Sequence, residues 1–102
     1  MADVATSVLR VEHVVPDYET WKHEGFDRDP IGRAQNGVGR YRVLRSSDNP
    51  GLVAIELEFD SRAAAEQFAA ALSEMWYRVR DRFGWGELPE ARIYELVEAG
   101  EY

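Results

Sequence analysis

The sequence contains histidine and tyrosine side chains that can accept or donate a proton, and they lie in segments where polar and apolar residues alternate. His13 lies in such a segment, 8–14, just before Pro16. A neutral imidazole, with an unperturbed pKa of about 6.5, can accept a proton from a phenol or an activated methylene. Strand parity places Tyr41 and Tyr94 on the same sheet face as His13, where each hydroxyl can orient a substrate oxygen. We predict these three as catalytic residues; core residues without a catalytic role would give the same pattern.

Four further aromatic side chains can form flat walls around an aromatic ligand. Tyr18 and Trp21 lie on a predicted first helix, and Trp76 lies on a second. Core packing is the more frequent role of such residues and is favoured for Trp21 and Trp76. Trp85 lies between two glycines in a predicted loop, where it can cover a pocket or pack on a partner subunit. We predict these four side chains as substrate-binding.

Composition restricts the classes of function. The chain has 102 residues, 45% hydrophobic and 30% charged, as expected of one small globular domain. The absence of cysteine excludes disulfides, cysteine-ligated metals and a cysteine nucleophile. Two histidines are too few for a histidine-only metal site, and we expect neither metal nor cofactor. The net charge of −7 disfavours nucleic acid and anionic lipid as partners.

The sequence contains no segment typical of membrane insertion or export. No apolar run approaches the roughly 18 residues of a membrane span. The first residues, Met1 to Val4, have neither a basic start nor an apolar core, so we expect no signal peptide and a cytoplasmic location.

Hydrophobic periodicity predicts six elements in the order strand, helix, strand, strand, helix, strand. The strands are 8–14, 38–45, 52–59 and 91–98, and the helices are 18–28 and 63–79. Asp17 is suited to cap the first helix, and the turn at 46–51 predicts a hairpin. Each helix has one apolar stripe, so both should pack on one face of an antiparallel sheet. The predicted fold is therefore α+β and ferredoxin-like, with a domain over 8–98 and tails at 1–7 and 99–102.

The other face of the predicted sheet mixes charges of both signs with aliphatic residues. A solvated face with cross-strand ion pairs is one interpretation. A surface for self-association in a homodimer is the other, because the aliphatic residues are unusual on a wet face. Those aliphatic residues are Val38, Leu44, Ala54, Ile93 and Val97.

For the second helix, we expect Arg78, Arg80 and Arg82 to form a solvated surface, because helical spacing spreads them apart.

Several segments resemble a known superfamily of small bacterial proteins. They are VEHVVPDYETWK (11–22), GRYRV (39–43), DNP (48–50), LEFD (57–60) and AEQF (65–68). The chain is similar over nearly its whole length to the dimeric α/β-barrel superfamily, and within it to antibiotic biosynthesis monooxygenases and proteins labelled cyclases. The resemblance implies a homodimer with facing sheets, a ligand cavity between sheet and helices, and an aromatic or polyketide-like substrate. No histidine lies on the second helix, where haem-degrading relatives carry their ligand, so haem degradation is not expected.

Three functions remain open. The first is a cofactor-independent monooxygenase or polyketide cyclase with His13 as base and Tyr41 or Tyr94 orienting a substrate oxygen. The second is a non-catalytic module that binds a small apolar ligand. The third is a structural dimer with a filled core, for which any cavity should be smaller than about 300 Å³.

Overall fold

The alternating segments form one four-stranded sheet. Its strands are β1 (Ser7–Val14), β2 (Val38–Arg45), β3 (Leu52–Phe59) and β4 (Glu90–Glu95). In this computed structural model, which describes residues 6–83 and 87–102, the order is β2-β3-β1-β4 and every pair is antiparallel. The predicted β2–β3 hairpin is present, and the turn closes with Ser46 N donating to Leu52 O at 2.9 Å.

The first helix combines two kinds of turn. Its α-helical turn, α1 (Tyr18–Thr20), begins at Asp17, whose carboxylate accepts the Thr20 backbone N–H at 3.0 Å and hydroxyl at 2.6 Å. It continues directly as a π-helical turn, Trp21–Phe26, after which Asp27 N donates to the carbonyl of Lys22, five residues back, at 2.8 Å. A helix is therefore present where one was predicted over 18–28, but it ends at Phe26 and most of it is wider than an α-helix.

The second helix, α2 (Arg62–Phe83), is 22 residues long. The Ser61 hydroxyl caps its start by accepting the Ala64 N–H at 3.1 Å. The predicted stripe faces the sheet: Ala65, Phe68 and Trp76 are buried. Alanine, which favours helix, is frequent in its first half. Within residues 6–83 and 87–102, no helix has the length and apolar character needed to cross a membrane.

The helix-facing side of the sheet carries two apolar clusters. One lies under α2 and contains Leu9, Val11, Leu57, Phe59, Ala65, Phe68 and Trp76. The other lies under the first helix and contains Val15, Trp21, Phe26 and Val53. The predicted arrangement, a ferredoxin-like fold with both helices on one face, is thereby confirmed.

The predicted parity was wrong for β4 and for the start of β2. Ile93 lies opposite Leu9 and packs on the core, whereas Tyr94 lies opposite Val8 on the face away from the helices. Alternation could not decide this case, because both parities of β4 contain apolar residues. Val38 also packs on the core rather than on the open face, because an irregularity between Val38 and Arg40 shifts the register of β2.

Candidate functional site

A cavity of about 710 Å³ lies between the sheet and the two helices. Its volume is well above about 300 Å³ and within the range of small-molecule sites, which contradicts the interpretation of a filled core. The buried part of its lining is apolar and comes from the sheet and both helices: Val11, Val15, Trp21, Phe26, Leu57, Phe68 and Trp76. The fold thus supplies a hydrophobic site of the size of a multi-ring molecule.

One wall of the cavity is a stretch of α2. Leu72, Met75, Trp76 and Val79 line it at the spacing that places side chains on one helix face. Trp76 also belongs to the core cluster, so its indole is held in place by packing. This stretch of α2 is therefore a rigid apolar wall that a ligand can lie against.

The π-helical turn forms the opposite wall. Trp21 and Gly25 both line the cavity there. A Cβ placed on Gly25 would stand 3.6 Å from Trp21 Cδ1 and 3.9 Å from Trp21 Nε1. Gly25 therefore lies against the edge of the indole, and a larger residue would reduce the space beside it. π-helical turns are frequent at functional sites.

The segment that follows the first helix contributes further residues to the lining of the cavity. Asp29, at a positive φ of 48°, accepts the Arg33 N–H at 2.8 Å. Arg33 donates to the Phe26 carbonyl at 2.9 Å, and its guanidinium lies 3.8 Å from the Phe26 ring centre. The Asn36 amide donates to Ile31 O at 3.0 Å. These bonds fix the segment that contributes Ile31 to the lining.

Charged side chains form the solvent side of the cavity, which we call the rim. It contains Asp17, Glu24, Arg28, Asp29, Arg33, Arg78 and Arg82. Each of the three carboxylates accepts a hydrogen bond. Asp17 accepts the backbone N–H of Thr20, Glu24 accepts the guanidinium of Arg28 at 3.1 Å, and Asp29 accepts the backbone N–H of Arg33. The hydrogen bonds from Thr20 lower the pKa of Asp17, so this carboxylate stays ionised.

His13 is buried beside the cavity but does not line it. It lies opposite Val53, a member of the cluster under the first helix. Burial lowers the pKa of its imidazole to about 4, because the charged form loses hydration. His13 is therefore neutral near pH 7. A pKa of about 4 makes it a weaker base than an ordinary histidine, comparable in strength with a carboxylate.

The predicted tyrosines do not meet at the cavity. Tyr41 lies on the same sheet face as His13, as predicted, but is 56% exposed and packs on Phe26 with ring centres 5.5 Å apart. Tyr18 packs on Trp21 at 5.8 Å and is covered by Arg45. Tyr94 lies on the open face beside Arg10 and Arg92, so the prediction that it shares the face of His13 was wrong.

Two of the three predicted tryptophans line the cavity. Trp21 and Trp76 are both buried, and they lie on different helices that bound the same space. Trp85 lies outside the described residues. The expected solvated surface of α2 is only partly correct, because Arg78 and Arg82 are exposed but also line the cavity. The sequence contained a pattern that could have predicted this position, because Arg78 and Arg82 lie one helical turn apart at the edge of the apolar stripe of α2.

The described residues, 6–83 and 87–102, contain no group of three histidine, aspartate or glutamate side chains that could hold a metal ion.

Comparisons with known proteins identify similar folds. Searches with family models and among curated proteins found no match. Among solved structures, the NE2512 protein of unknown function from Nitrosomonas europaea superimposes with a TM-score of 0.68 at 16% identity, covering 99% of this chain and 98% of that one. A dimeric ferredoxin-like protein from an uncultured marine organism has a TM-score of 0.60 at 14% identity, covering 96% and 97%.

A cofactor-independent oxygenase is among the structures with a similar fold. SnoaB, a cofactor-independent oxygenase from Streptomyces nogalater, superimposes with a TM-score of 0.59 at 18% identity, covering 98% of this chain and 97% of its own. Two further matches, from Bordetella bronchiseptica and Nitrosomonas europaea, are antibiotic biosynthesis monooxygenase-like by name. At these identities the likeness establishes the fold alone. The chain therefore has the ferredoxin-like fold of the antibiotic biosynthesis monooxygenase-like proteins, over essentially its whole length.

Proposed function

We propose that the protein binds a small aromatic or polyketide-like molecule in the cavity and acts on it as a cofactor-independent monooxygenase or a cyclase. The observation that carries this proposal is the cavity itself: about 710 Å³, apolar in its buried part, with Trp21 and Trp76 on its walls. Indole faces and aliphatic side chains suit a flat, multi-ring ligand. The fold shared with SnoaB supports an oxygenase in particular.

The oxygenase reaction requires a base and a dry site rather than a cofactor. A base removes a proton from an anthrone-type carbon, and the resulting carbanion reduces dioxygen. One oxygen atom stays in the product as a carbonyl, and the other leaves as water. An apolar cavity favours the electron transfer to dioxygen, because a carbanion that is not stabilised by hydration is a stronger reductant. A cyclase would use the same deprotonation to form an enolate for ring closure.

The identity of the base is part of the proposal. His13 is our candidate from the sequence; of the two tyrosines predicted to orient the substrate oxygen, only Tyr41 shares its sheet face. The position of His13 outside the lining means that direct proton transfer requires movement of the ligand or of the side chain. Glu24 and Asp29 line the rim already, and either carboxylate can accept a proton without such movement.

A non-catalytic binding module is the second candidate. One observation favours it: none of the three predicted catalytic side chains, His13, Tyr41 and Tyr94, lines the cavity. A binding module would keep the ligand unchanged and would need only the apolar walls and the rim. It differs from the enzyme in one measurable respect, the absence of turnover.

We also propose that the protein is a homodimer that pairs through the open sheet face. Exposed apolar side chains such as Leu44 lie there among charges of both signs, so one copy can complement another. Glu56 accepts from Arg10 and Arg42 on this face, and these hydrogen bonds lower its pKa.

Oxygen uptake with an anthrone-type quinol tests the enzyme. Gly25→Leu should reduce uptake by at least about tenfold, because the new side chain occupies cavity space beside Trp21. Ala70→Leu, an exposed site on α2 away from the cavity, is the matched control and should keep wild-type uptake. If His13 is the base, His13→Ala should lower uptake by about a hundredfold.

Each outcome assigns a role. Loss in Gly25→Leu but not in Ala70→Leu supports catalysis in the cavity. Equal uptake by wild type and His13→Ala would remove His13 from the mechanism and direct attention to the rim carboxylates. No uptake above buffer, together with calorimetric binding of the quinol that Gly25→Leu abolishes, would contradict the oxygenase for this substrate class and favour the binding module.

A further inference from the structure

Asp29 differs from the other two described carboxylates that line the cavity. Asp17 and Glu24 are exposed, whereas Asp29 is half-buried. Asp17 also caps the first helix, because one of its oxygens accepts both the backbone N–H and the hydroxyl of Thr20. Of these three carboxylates, Asp29 is therefore the one best shielded from bulk water.

Three hydrogen bonds hold Asp29 in place. Its N–H donates to the Phe26 carbonyl at 3.2 Å, and its carbonyl accepts the Gly32 N–H at 3.1 Å. The third bond is made by the side chain, whose Oδ1 accepts the Arg33 N–H at 2.8 Å. Within residues 6–83 and 87–102, Asp29 is the only non-glycine residue with a positive φ, 48°. Such strained positions cluster at functional sites.

Only one oxygen of this carboxylate takes part in these contacts. The Arg33 guanidinium also approaches Oδ1, at 3.6 Å, so Arg33 contacts the same oxygen twice. Among the groups of the described chain, none donates a hydrogen bond to Oδ2. Arg33 is itself fixed, because it donates to the Phe26 carbonyl at 2.9 Å and stacks on the Phe26 ring. The carboxylate is thus held through Oδ1, and Oδ2 is able to accept a proton.

We infer that Asp29 is the general base of the proposed reaction and that its Oδ2 takes the proton from the substrate carbon. This inference rests on the proposed function and names the residue that carries out its first step. Asp29 lines the cavity, whereas His13 does not. A positioned aspartate can remove a proton from a carbon that is activated by a carbonyl group. The substrate is then an aromatic ketone with an acidic C–H bond.

The proton transfer breaks one C–H bond of the substrate and forms an O–H bond on Asp29. The electron pair stays on the carbon and is delocalised into the ring carbonyl. In an oxygenase the carbanion then adds to dioxygen, and Asp29 returns its proton to the resulting peroxide. Loss of water from the hydroperoxide leaves the new carbonyl, so the carboxylate is regenerated in each turnover.

Hydrogen–deuterium exchange on anthrone in the absence of dioxygen tests the base separately from the oxygenation. The full chain is incubated anaerobically with anthrone in heavy water, and NMR follows the loss of the methylene signal. Wild type should accelerate this loss, and Asp29→Asn should lower the acceleration by about a hundredfold, as expected for removal of a general base. Asparagine keeps an Oδ1 acceptor for the Arg33 N–H and tolerates a positive φ, so this variant should fold.

Asp27→Asn is the matched control, because it makes the same chemical change two residues away. Asp27 is exposed, pairs with Lys22 at 2.6 Å and does not line the cavity. This variant should exchange anthrone at the wild-type rate. Calorimetric titration with anthrone should give wild type and Asp29→Asn the same affinity within about twofold, because the apolar walls that bind the rings are unchanged.

Several results would overturn the inference. Exchange by Asp29→Asn at the wild-type rate would do so while leaving the proposed enzyme intact. Equal losses in Asp29→Asn and Asp27→Asn would show that the loss does not arise at the cavity. A loss of anthrone affinity as large as the loss of exchange would make Asp29 a binding residue instead of a base. Wild type that binds anthrone without exchanging it would contradict the enzyme as well as its base, and absence of binding would also remove the proposed aromatic site.

Discussion

At the scale of single residues, His13 is the most unusual titratable group. It is only 5% exposed on the helix-facing side of β1, and burial lowers its pKa to about 4. The unfolded chain, with a histidine pKa of about 6.5, binds a proton more readily than the folded one. Above pH 6.5, His13 is neutral in both states and the free energy of unfolding does not depend on its titration. As the pH falls from about 6.5 towards 4, the unfolded chain takes up the proton first, and the free energy of unfolding decreases.

Urea unfolding of wild type and His13→Leu measures this linkage. Between about pH 7 and about pH 5, the wild type should lose about 2 kcal/mol more of its free energy of unfolding than the variant does. The difference between the two pH dependences is the readout, because the substitution also changes packing. His23→Leu, at an exposed position, controls for the loss of an imidazole as such. Parallel pH dependences for wild type and His13→Leu would contradict the buried, neutral histidine.

At the scale of elements, the connection into β2 depends on one glycine. A 3-10 turn, Ala34–Asn36, ends at Gly37, whose φ of 99° lies in the left-handed region. An added Cβ there would meet Ala64 Cβ at 3.6 Å and Phe59 Cδ2 at 3.7 Å, which are ordinary contacts. The cost of a larger residue is therefore in the backbone conformation rather than in a steric clash.

Gly37→Ala should lower the free energy of unfolding by about 1 kcal/mol, as expected for a left-handed position occupied by a residue other than glycine. Chemical denaturation checks this value. Gly100→Ala is the control, because Gly100 has open space around it and no positive φ, and it should leave stability unchanged. Equal stability of Gly37→Ala and wild type would show that the turn can adopt another backbone conformation.

At the scale of the whole molecule, the open sheet face has to be either solvated or covered. It carries Leu44, which is 41% exposed, and Val14, which is 65% exposed, beside the Arg10–Glu56–Arg42 network. An apolar patch surrounded by charges of both signs is suited to isologous pairing, because each copy presents the same complementary surface. Solvation alone would leave the apolar side chains in water.

Sedimentation measurements distinguish these two states. We expect a homodimer for wild type and a dissociation constant at least about tenfold larger for Leu44→Asp, which places a charge at an apolar position of the paired face. Tyr77→Asp is the matched control, because Tyr77 is 63% exposed on α2, away from the sheet. A monomeric wild type, or equal weakening by both substitutions, would contradict pairing through this face.

Patterns of polar and apolar residues along the chain were sufficient to predict the secondary-structure elements and much of their arrangement. The alternation in β1 and β3, the turn between β2 and β3, and the stripe from Ala65 to Val79 predicted the strands, the hairpin and the buried face of α2. Such patterns repeat within a few residues, so they are determined by the chain's own neighbours. The spacing of Trp21 and Trp76 likewise placed both on sheet-facing stripes, which is why they line the cavity.

The sequence by itself thus determined the order of elements, the ferredoxin-like arrangement and the aromatic character of the candidate site. Only the tertiary structure decided that Tyr94 faces away from the helices, that Val38 packs inward and that His13 lies beside the cavity rather than in it. The face of a strand residue depends on its register with another strand, and a cavity depends on the separation of elements distant in the chain. Neither quantity is encoded in the periodicity of one segment.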